Sequence, residues 1–324
     1  GKYTVNENID KENDTKILNP SHQSRVTEKM SLYSWKIFLA VVEHKSFVKA
    51  ARALNLTPSA VSHMIAKMEE DYGYPLFIRN RNSIKFTTNG ELLLPHVRNL
   101  LQCNDTLSQE ILSLKNTNRG LVRIATFNSV AQIWLPSILK EFHKKYPEIK
   151  VVVRQSGDLK IKKWIDRGEI DLAINSSNVI RDNSFFPLHK TPLVCMTPKD
   201  YSPLNGHSVT AKDLKNVSII LQSEGYDTES VKYLLDNGIS VDSDFRIESD
   251  DTCRAYVEHG FGFCITTETV ALCNDQNVNI YPLEPVSYRT IGLVTVFPKY
   301  ISPAAKLLRQ QILQFISDSD LMNV

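Results

Sequence analysis

Twenty residues from Ala50 to Glu69, AARALNLTPSAVSHMIAKME, restrict the fold more than any other stretch of this chain. Phe47, Ala50, Ala51 and Leu54 recur at i, i+3, i+4 and i+7, and Val61, Met64, Ile65 and Met68 repeat that spacing, so two helices each carry one apolar stripe. Only Asn-Leu-Thr-Pro separates them. Asn55 suits a left-handed residue closing the first helix. Thr57 can cap the second, and Pro58 fits its first turn, where a missing N–H leaves nothing unpaired. The joint is a sharp turn.

Trp35, Phe38, Leu39 and Val42 form a third amphipathic stretch just upstream. Three short helices with one stripe each can bury those stripes against one another, leaving Ser59, Ser62, His63 and Lys67 on the outer side of the third. Hydroxyls, an imidazole and a base there can reach base edges and phosphates in a DNA major groove. An isolated polar stripe is usually no more than a solvated helix face, but the neighbouring residues favour the other reading. Ser46 precedes the second helix and Thr57 the third, so both helix starts offer free N–H groups to phosphates. YPLFIRNRNSIKFTTNG follows with two strand-like pieces around Asn80 to Ser83, a wing carrying Arg79, Arg81 and Lys85. The formal net charge of the whole chain is only +2. Between Met30 and Thr87, however, Lys36, Lys45, Lys49, Arg52, Lys67, Arg79, Arg81 and Lys85 face only Glu43, Glu69, Glu70 and Asp71. The positive excess sits in this one region.

From WKIFLAVVEHKSFVKAARALNLTPSAVSHMIAKMEEDYGYPLFIRN through FTTNGELLLPHVRNLL the chain resembles the LysR-type transcriptional regulators, and it does so less sharply onward to its end. The resemblance implies a winged helix-turn-helix over residues 30–87. Base and phosphate contacts would come from Pro58, Ser59, Ser62 and His63, and backbone or minor-groove contacts from Arg79 and Arg81. His63 stands where the family often has arginine, which removes the guanine-reading fork from that position and alters operator preference. Residues 1–29 mix Asn, Lys, Asp and Glu without apolar periodicity. They are expected to be a disordered extension or a cloning remnant, with Met30 the natural start.

Thr88-Asn89-Gly90-Glu91 has the form of a capping box and predicts a helix that serves as linker and dimerisation element over residues 88–117. Beyond it Leu93, Val97, Leu100, Asn104, Leu107, Ile111 and Leu114 recur at alternating steps of four and three. So narrow a stripe suits a coiled-coil seam with a second copy better than burial in a globular core, and Asn104 would fix its register. Pro95 predicts a bend near the start. A homodimer sets two reading heads at a fixed separation, so the expected operator is a pseudo-palindrome with half-sites about 34–36 Å apart, or a multiple of that. The resemblance adds a pairing of dimers into a homotetramer that bends DNA. LKNTNRGL, residues 114–121, reads as a polar hinge.

From Leu121 onward short apolar runs alternate with amphipathic stretches. VRIA is followed by Leu135, Ile138, Leu139 and Phe142, then IKVVV, a helix ending near Gly168, and DLAIN. The alternation restarts after residue 191 with LVCM, VSIIL, a helix around Val231 to Leu235, and FCIT, and it closes with IGLVTVF and LLRQQILQF. The pattern predicts α/β units around a largely parallel sheet, in two lobes whose crevice suits a small ligand. The resemblance implies an effector-binding domain over residues 118–324 of the two-lobed, periplasmic-binding-protein-like (type II) form. Lobe I would hold residues 118–191 and 267–324 and lobe II residues 192–266, with crossovers near Lys190–Pro192 and Ile265–Thr267. By the family pattern the crevice includes Phe127, Asn128, Ser129 and Ser176, with Ser223, Glu224, Gly225 and Tyr226 opposite. Ser129 is the foremost of these, although alone it reads equally well as a helix cap. Free N–H groups and hydroxyls with few bases nearby favour a small anion or an amino-acid-like metabolite.

No apolar run approaches the roughly 20 residues that span a bilayer, and the first residues lack a signal peptide's apolar centre, so a cytoplasmic location without membrane contact is expected. The five cysteines are odd in number and contain no C-x-x-C, which implies neither a disulfide framework nor a zinc site. Asp250-Asp251 reads as the first turn of a helix, where acids offset the dipole. GFGF lacks the P-loop spacing, and no nucleophile elbow is present. No catalytic residue, metal or cofactor is expected. The chain reads as a ligand-responsive transcription factor that governs RNA polymerase access at double-stranded DNA. The alternative is a small-molecule-binding protein or enzyme whose N-terminal helices serve oligomerisation only.

Overall fold

The computed structural model describes residues 31–80, 83–115, 118–180, 182, 184–222, 228–273 and 277–319. The expected extension at residues 1–29 lies outside them. Two compact units divide between Leu101 and Gln102.

In the first unit Ser31 caps α1 (Leu32–His44), its hydroxyl accepting from the Ser34 N–H, and Ser46 caps α2 (Phe47–Ala53) by accepting from Lys49. The turn follows the sequence reading. Asn55 is left-handed at φ 56°, Thr57 accepts from the Ala60 N–H at 3.2 Å, and Pro58 opens α3 (Pro58–Tyr72). Gly73 closes α3 at φ 80°, a conformation that costs an L side chain dearly. A two-stranded wing follows, β1 (Phe77–Asn80) antiparallel to β2 (Ser83–Phe86), with Phe77 opposite Phe86. Glu69 on α3 pins the wing by accepting from the N–H groups of Leu76 and Phe77 at 2.9 and 3.1 Å. The core holds Phe38, Val41, Ala50, Ala51, Val61, Ile65, Met68 and Phe77. On α1 the buried stripe is shifted: Ile37 and Val41 join Trp35 and Phe38 inside, while Leu39 and Val42 are only half-buried.

The long helix α4 (Thr88–Ser113) begins one residue away from the expected box. Thr87, not Thr88, accepts from the Gly90 N–H at 3.1 Å, and its own hydroxyl donates to the Pro75 carbonyl, tying the helix start to the residues before the wing. Gly90 is required by that closeness, because a Cβ there would lie 2.5 Å from the Leu76 carbonyl oxygen. Pro95 stands inside the helix.

In the second unit β3 (Gly120–Thr126), α5 (Asn128–Ile133), α6 (Leu135–Lys145), β4 (Ile149–Gln155), α7 (Asp158–Asp166) and β5 (Leu172–Ser176) are the expected alternation, and Gly168 follows α7 at φ 62°. Then come β6 (Phe185–Pro198), α8 (Ala211–Leu214), β7 (Leu221–Gln222), α9 (Thr228–Asp236), β8 (Arg246–Ile247), α10 (Asp250–Glu258), β9 (Cys264–Thr267), α11 (Glu268–Ala271), β10 (Val278–Pro282), β11 (Tyr288–Thr295) and α12 (Pro303–Asp318). VSIIL yields strand only at its end, with Ile219 bridging to Phe263.

The main sheet runs β10-β6-β11-β5-β3-β4, with β9 also beside β6. It is mixed, not largely parallel: β3 runs parallel to β4 and β5, whereas β11 lies antiparallel to both β5 and β6, and β6 antiparallel to β9 and β10. The cause is β11, which returns from the other lobe and inserts between β5 and β6 against their direction. The single strand β6 serves both lobes, pairing with β11 up to Pro192 and with β9 and β10 from Leu193 on. The first crossover lies between Pro192 and Leu193. The second is not at Ile265–Thr267: β10 pairs with Val194–Pro198, and Ala271 and Val278 pack with Val257 and Cys264, so lobe II extends through these elements. The chain returns only at Ser287–Tyr288, where the Ser287 carbonyl accepts from the Leu193 N–H at 2.8 Å and Tyr288 stands opposite Pro192. Residues 267–273 and 277–287 belong with lobe II because an extra strand, β10, covers the far edge of β6 before the chain goes back.

Gly90→Ala should lower the stability of the first unit by about 1–3 kcal/mol. Hydrogen exchange of the α1–α3 amides in the full chain checks this, with faster exchange expected in the variant; unchanged protection would show that the Leu76 carbonyl yields freely.

Candidate functional site

On α3 the inner flank of Val61, Ile65 and Met68 is buried, while Ser59, His63 and Lys67 are exposed and Ser62 is half-buried. Pro58 and Thr57 lie exposed at its start, and the Thr57 and Ser59 hydroxyls are 3.1 Å apart. Arg79, expected to point away to a nucleic acid, is folded back instead. Its Nη1 donates to the Ser62 hydroxyl at 3.1 Å, its Nη2 lies 3.6 Å from Glu69, and its guanidinium covers the Phe47 ring at 4.8 Å. Arg79 thus joins wing, α2 and α3, and its planar guanidinium does so through three contacts of different kinds. Arg81 lies outside the described residues.

The seam divides along the helix. Val97 is buried in the first unit's core and Leu93 packs against it, because the start of α4 is the lid of that core. Farther on the stripe is open: Leu107 is 59% exposed, Ile111 49% and Leu114 85%, with Leu100 exposed and Asn104 half-buried. The opposite side of this later part, itself within the second unit, packs on the rest of that unit, where Thr106 donates to the Tyr300 carbonyl at 2.7 Å and Gln109 accepts from the Ala304 N–H at 3.2 Å.

Between the two lobes Arg289, at the start of β11, is the centre of a buried ionic group. Its Nη2 donates to Asp158 of α7 at 2.6 Å, and its Nε lies 3.6 Å from Glu229 of α9. Its face covers the Phe127 ring at 4.0 Å. Asp158 belongs to lobe I and Glu229 to lobe II, so one cation is shared across the division. A second bridge lies nearer the surface, where Asp250 accepts from the Asn128 amide at 2.9 Å and from the Gln222 amide at 2.6 Å. Behind it a small cavity, with room for about 10 Å³, is lined by Asn128, Ser129, Asp250, Asp251, Arg254 and Cys273.

Of the expected crevice residues, Asn128 and Ser129 meet in this cavity, and Phe127 stands next to it under Arg289. Ser129 is buried as the second residue of α5, whose N-cap is Phe127, so its reading as the cap is overturned. Ser176 is not part of the cavity; its hydroxyl accepts from the Asn178 N–H and closes the turn after β5. Ser223, Glu224, Gly225 and Tyr226 lie outside the described residues.

Sequence reading missed Arg289, Asp158, Glu229 and Arg254. A signal existed for Arg289: a lone base abutting the apolar run IGLVTVF is rarely buried unless paired. Asp250 does stand in the first turn of α10, as expected, but its contact with Asn128 across the lobes has no sequence signature. Burial pushes the Cys273 thiol up, as do Asp250 and Asp251, while Arg254 opposes them; the four groups share one local field. Among the described residues no cluster of His, Cys, Asp or Glu is arranged to hold a metal, and no helix is long and apolar enough to cross a membrane.

A family model described as LysR substrate binding domain matches residues 115–317, and one described as bacterial regulatory helix-turn-helix protein, lysR family, matches residues 32–91. YvbU of Bacillus subtilis, described as an uncharacterized HTH-type transcriptional regulator, is 28% identical over 282 residues, which cover 86% of this chain and 96% of the relative. Among solved structures a full-length OxyR variant from Pseudomonas aeruginosa has a TM-score of 0.70 at 18% identity, covering 87% of this chain and 94% of its own. Full-length CbnR, in complex with its target DNA, has a TM-score of 0.57 at 18% identity over 88% of this chain and 100% of its own. Both structural likenesses speak to the fold.

Arg289→Met should destabilise the second unit by about 3–5 kcal/mol, because it leaves Asp158 buried with its cation removed. Thermal unfolding of the variant tests this; a melting temperature within a degree of wild type would mean that Asp158 is neutralised from elsewhere.

Proposed function

The chain belongs to the LysR family, DNA-binding transcriptional regulators with an effector-binding domain, and we propose that it reads a pseudo-palindromic operator in double-stranded DNA as a homodimer. The observation that carries this reading is the outer flank of α3, where Ser59, His63 and Lys67 stand exposed over a fully buried inner stripe. Pro58, Ser59, Ser62 and His63 read base edges, and Lys67 reaches phosphate. The starts of α2 and α3 at Ser46 and Thr57 receive phosphates through their N–H groups. Arg81 contacts the minor groove or backbone, while Arg79 positions the wing against Ser62 and reaches the DNA backbone from there.

The partner copy pairs along Leu100, Asn104, Leu107, Ile111 and Leu114, an open apolar stripe interrupted by one amide. Two such dimers join as a homotetramer on DNA. A small metabolite occupies the crevice between the lobes at Phe127, Asn128 and Ser129, with Ser176 and the segment Ser223–Tyr226 beside it. Because it binds one lobe arrangement better than the other, it shifts their populations and, through the tetramer, the DNA bend that governs RNA polymerase access. No catalytic step is part of this reading, and the cytoplasm is where it acts.

DNA affinity should fall with a log–log salt slope of about −0.9 per phosphate neutralised, and His63→Ala should cost about 1–3 kcal/mol of discrimination between operator and random duplex. Fluorescence anisotropy at several salt concentrations measures both, and equal affinity of the variant for every sequence relative to wild type would remove His63 from the reading set. Leu107→Asp combined with Ile111→Asp should convert the dimer into monomers in sedimentation velocity. A persistent dimer would move the interface elsewhere.

A further inference from the structure

One residue lining the cavity behind the Asn128–Asp250 bridge, Arg254, has a guanidinium whose hydrogen-bonding capacity is only partly used. Arg254 is 8% exposed, and its Nη2 donates to the carbonyls of Val270 and Ala271 at 3.1 and 3.3 Å. Its Nε and Nη1 are buried without a hydrogen-bond partner. Both belong to a residue that lines the cavity. A buried cation with unsatisfied N–H groups is costly, and a carboxylate is the group that satisfies them best. The same cavity wall holds Asp250 and Asp251. A simple anion drawn in by Arg254 would meet these two acids, and like charges close together repel.

We propose that the effector of this chain is a small zwitterion of the α-amino acid class, its carboxylate held by Arg254 and its ammonium by Asp250 and Asp251. The proposal rests on the reading of the interlobe crevice as the effector site. One charge of each sign on neighbouring atoms of the ligand matches a base and two acids on the walls of one cavity, and Asn128, Ser129 and Gln132 add neutral polar groups. The cavity also explains how binding reaches the lobes. Its present room of about 10 Å³ admits no more than a water, so an amino acid enters only if the walls part. Asn128 belongs to lobe I and Asp250 to lobe II, and their 2.9 Å hydrogen bond closes that gap. The ligand's ammonium takes the place of the Asn128 amide on Asp250, exchanging a contact between lobes for a contact with ligand. Ligand and closed bridge are then mutually exclusive, which is the differential affinity a population shift requires.

The test is titration calorimetry and thermal shift on the full chain with three matched sets: L- and D-α-amino acids, the α-hydroxy acids that lack the ammonium, and the amines that lack the carboxylate. At least one amino acid should bind and raise the melting temperature, with its hydroxy acid and amine weaker by about tenfold or more. Arg254→Met should weaken that amino acid by about tenfold or more, as should Asp251→Asn at an exposed position. Hydroxy acids binding as tightly as amino acids, no binding by any amino acid at millimolar concentration, or unchanged binding to either variant would each overturn the proposal. Ser129→Trp separates it from the reading beneath it. A ligand lost in Ser129→Trp but kept in Arg254→Met leaves the crevice as the effector site and removes the zwitterion. A ligand kept in Ser129→Trp sits elsewhere and removes both.

Discussion

The Arg289 guanidinium, sealed from water, is answered by two carboxylates, one from each lobe. Bringing such an ion out of water costs several kcal/mol, recovered only where geometry and hydrogen bonding are good. The two answers are unequal: Asp158 lies at 2.6 Å and Glu229 at 3.6 Å from the nitrogens they face. Asp158 is the tight partner and shares a lobe with the strands that β11 rejoins; Glu229 is the loose one and rides on α9 in the other lobe. Phe127 under the same guanidinium links this buried charge to the start of α5 and so to the cavity at Asn128 and Ser129.

The first unit solves a different problem, that of holding a polar helix flank still when nothing covers it. Buried side chains on three helices fix one side of α3, and the wing fixes its end through Glu69, whose carboxylate satisfies two N–H groups of the incoming strand. Arg79 then completes the connection by reaching Ser62 and the Phe47 ring. A base that sequence pattern assigns to the ligand is here spent partly on the scaffold that presents the ligand's other contacts. Long cationic side chains with apolar stems can do both.

Local chemistry was legible in the sequence, and pairing across distance was not. Asn55, Thr57 and Pro58 each have a conformational preference strong enough to fix the turn between α2 and α3 without tertiary help. The helical stripes of α2 and α3 were readable for the same reason. At the start of α4 two threonines stand side by side, and only the approach of the Pro75 and Leu76 backbone selects Thr87 over Thr88 as cap. The directions of β11 and β10 depend on which lobe the chain has last visited, which no local pattern records; hence the mixed sheet and the late return at Ser287. The seam shows both cases in one helix. Its heptad spacing was visible throughout, but Leu93 and Val97 were claimed by a core in their own unit. Asp250 and Arg254 stand at i and i+4 of α10 and so share a face by spacing alone, but no local pattern records that α5 comes to lie against that face and closes a cavity there.

The strand β6 belongs to both lobes, and beside it the returning chain is hydrogen-bonded at Leu193 and Ser287. Two adjacent extended segments, locked edge to edge, resist being stretched or slid apart but yield to twisting about their common length. A relative movement of the lobes that kept these hydrogen bonds would be a rotation along this paired ribbon. What such a joint exports is a change of angle at nearly constant separation, a mechanical output suited to turning an attached helix and poorly suited to pulling on it.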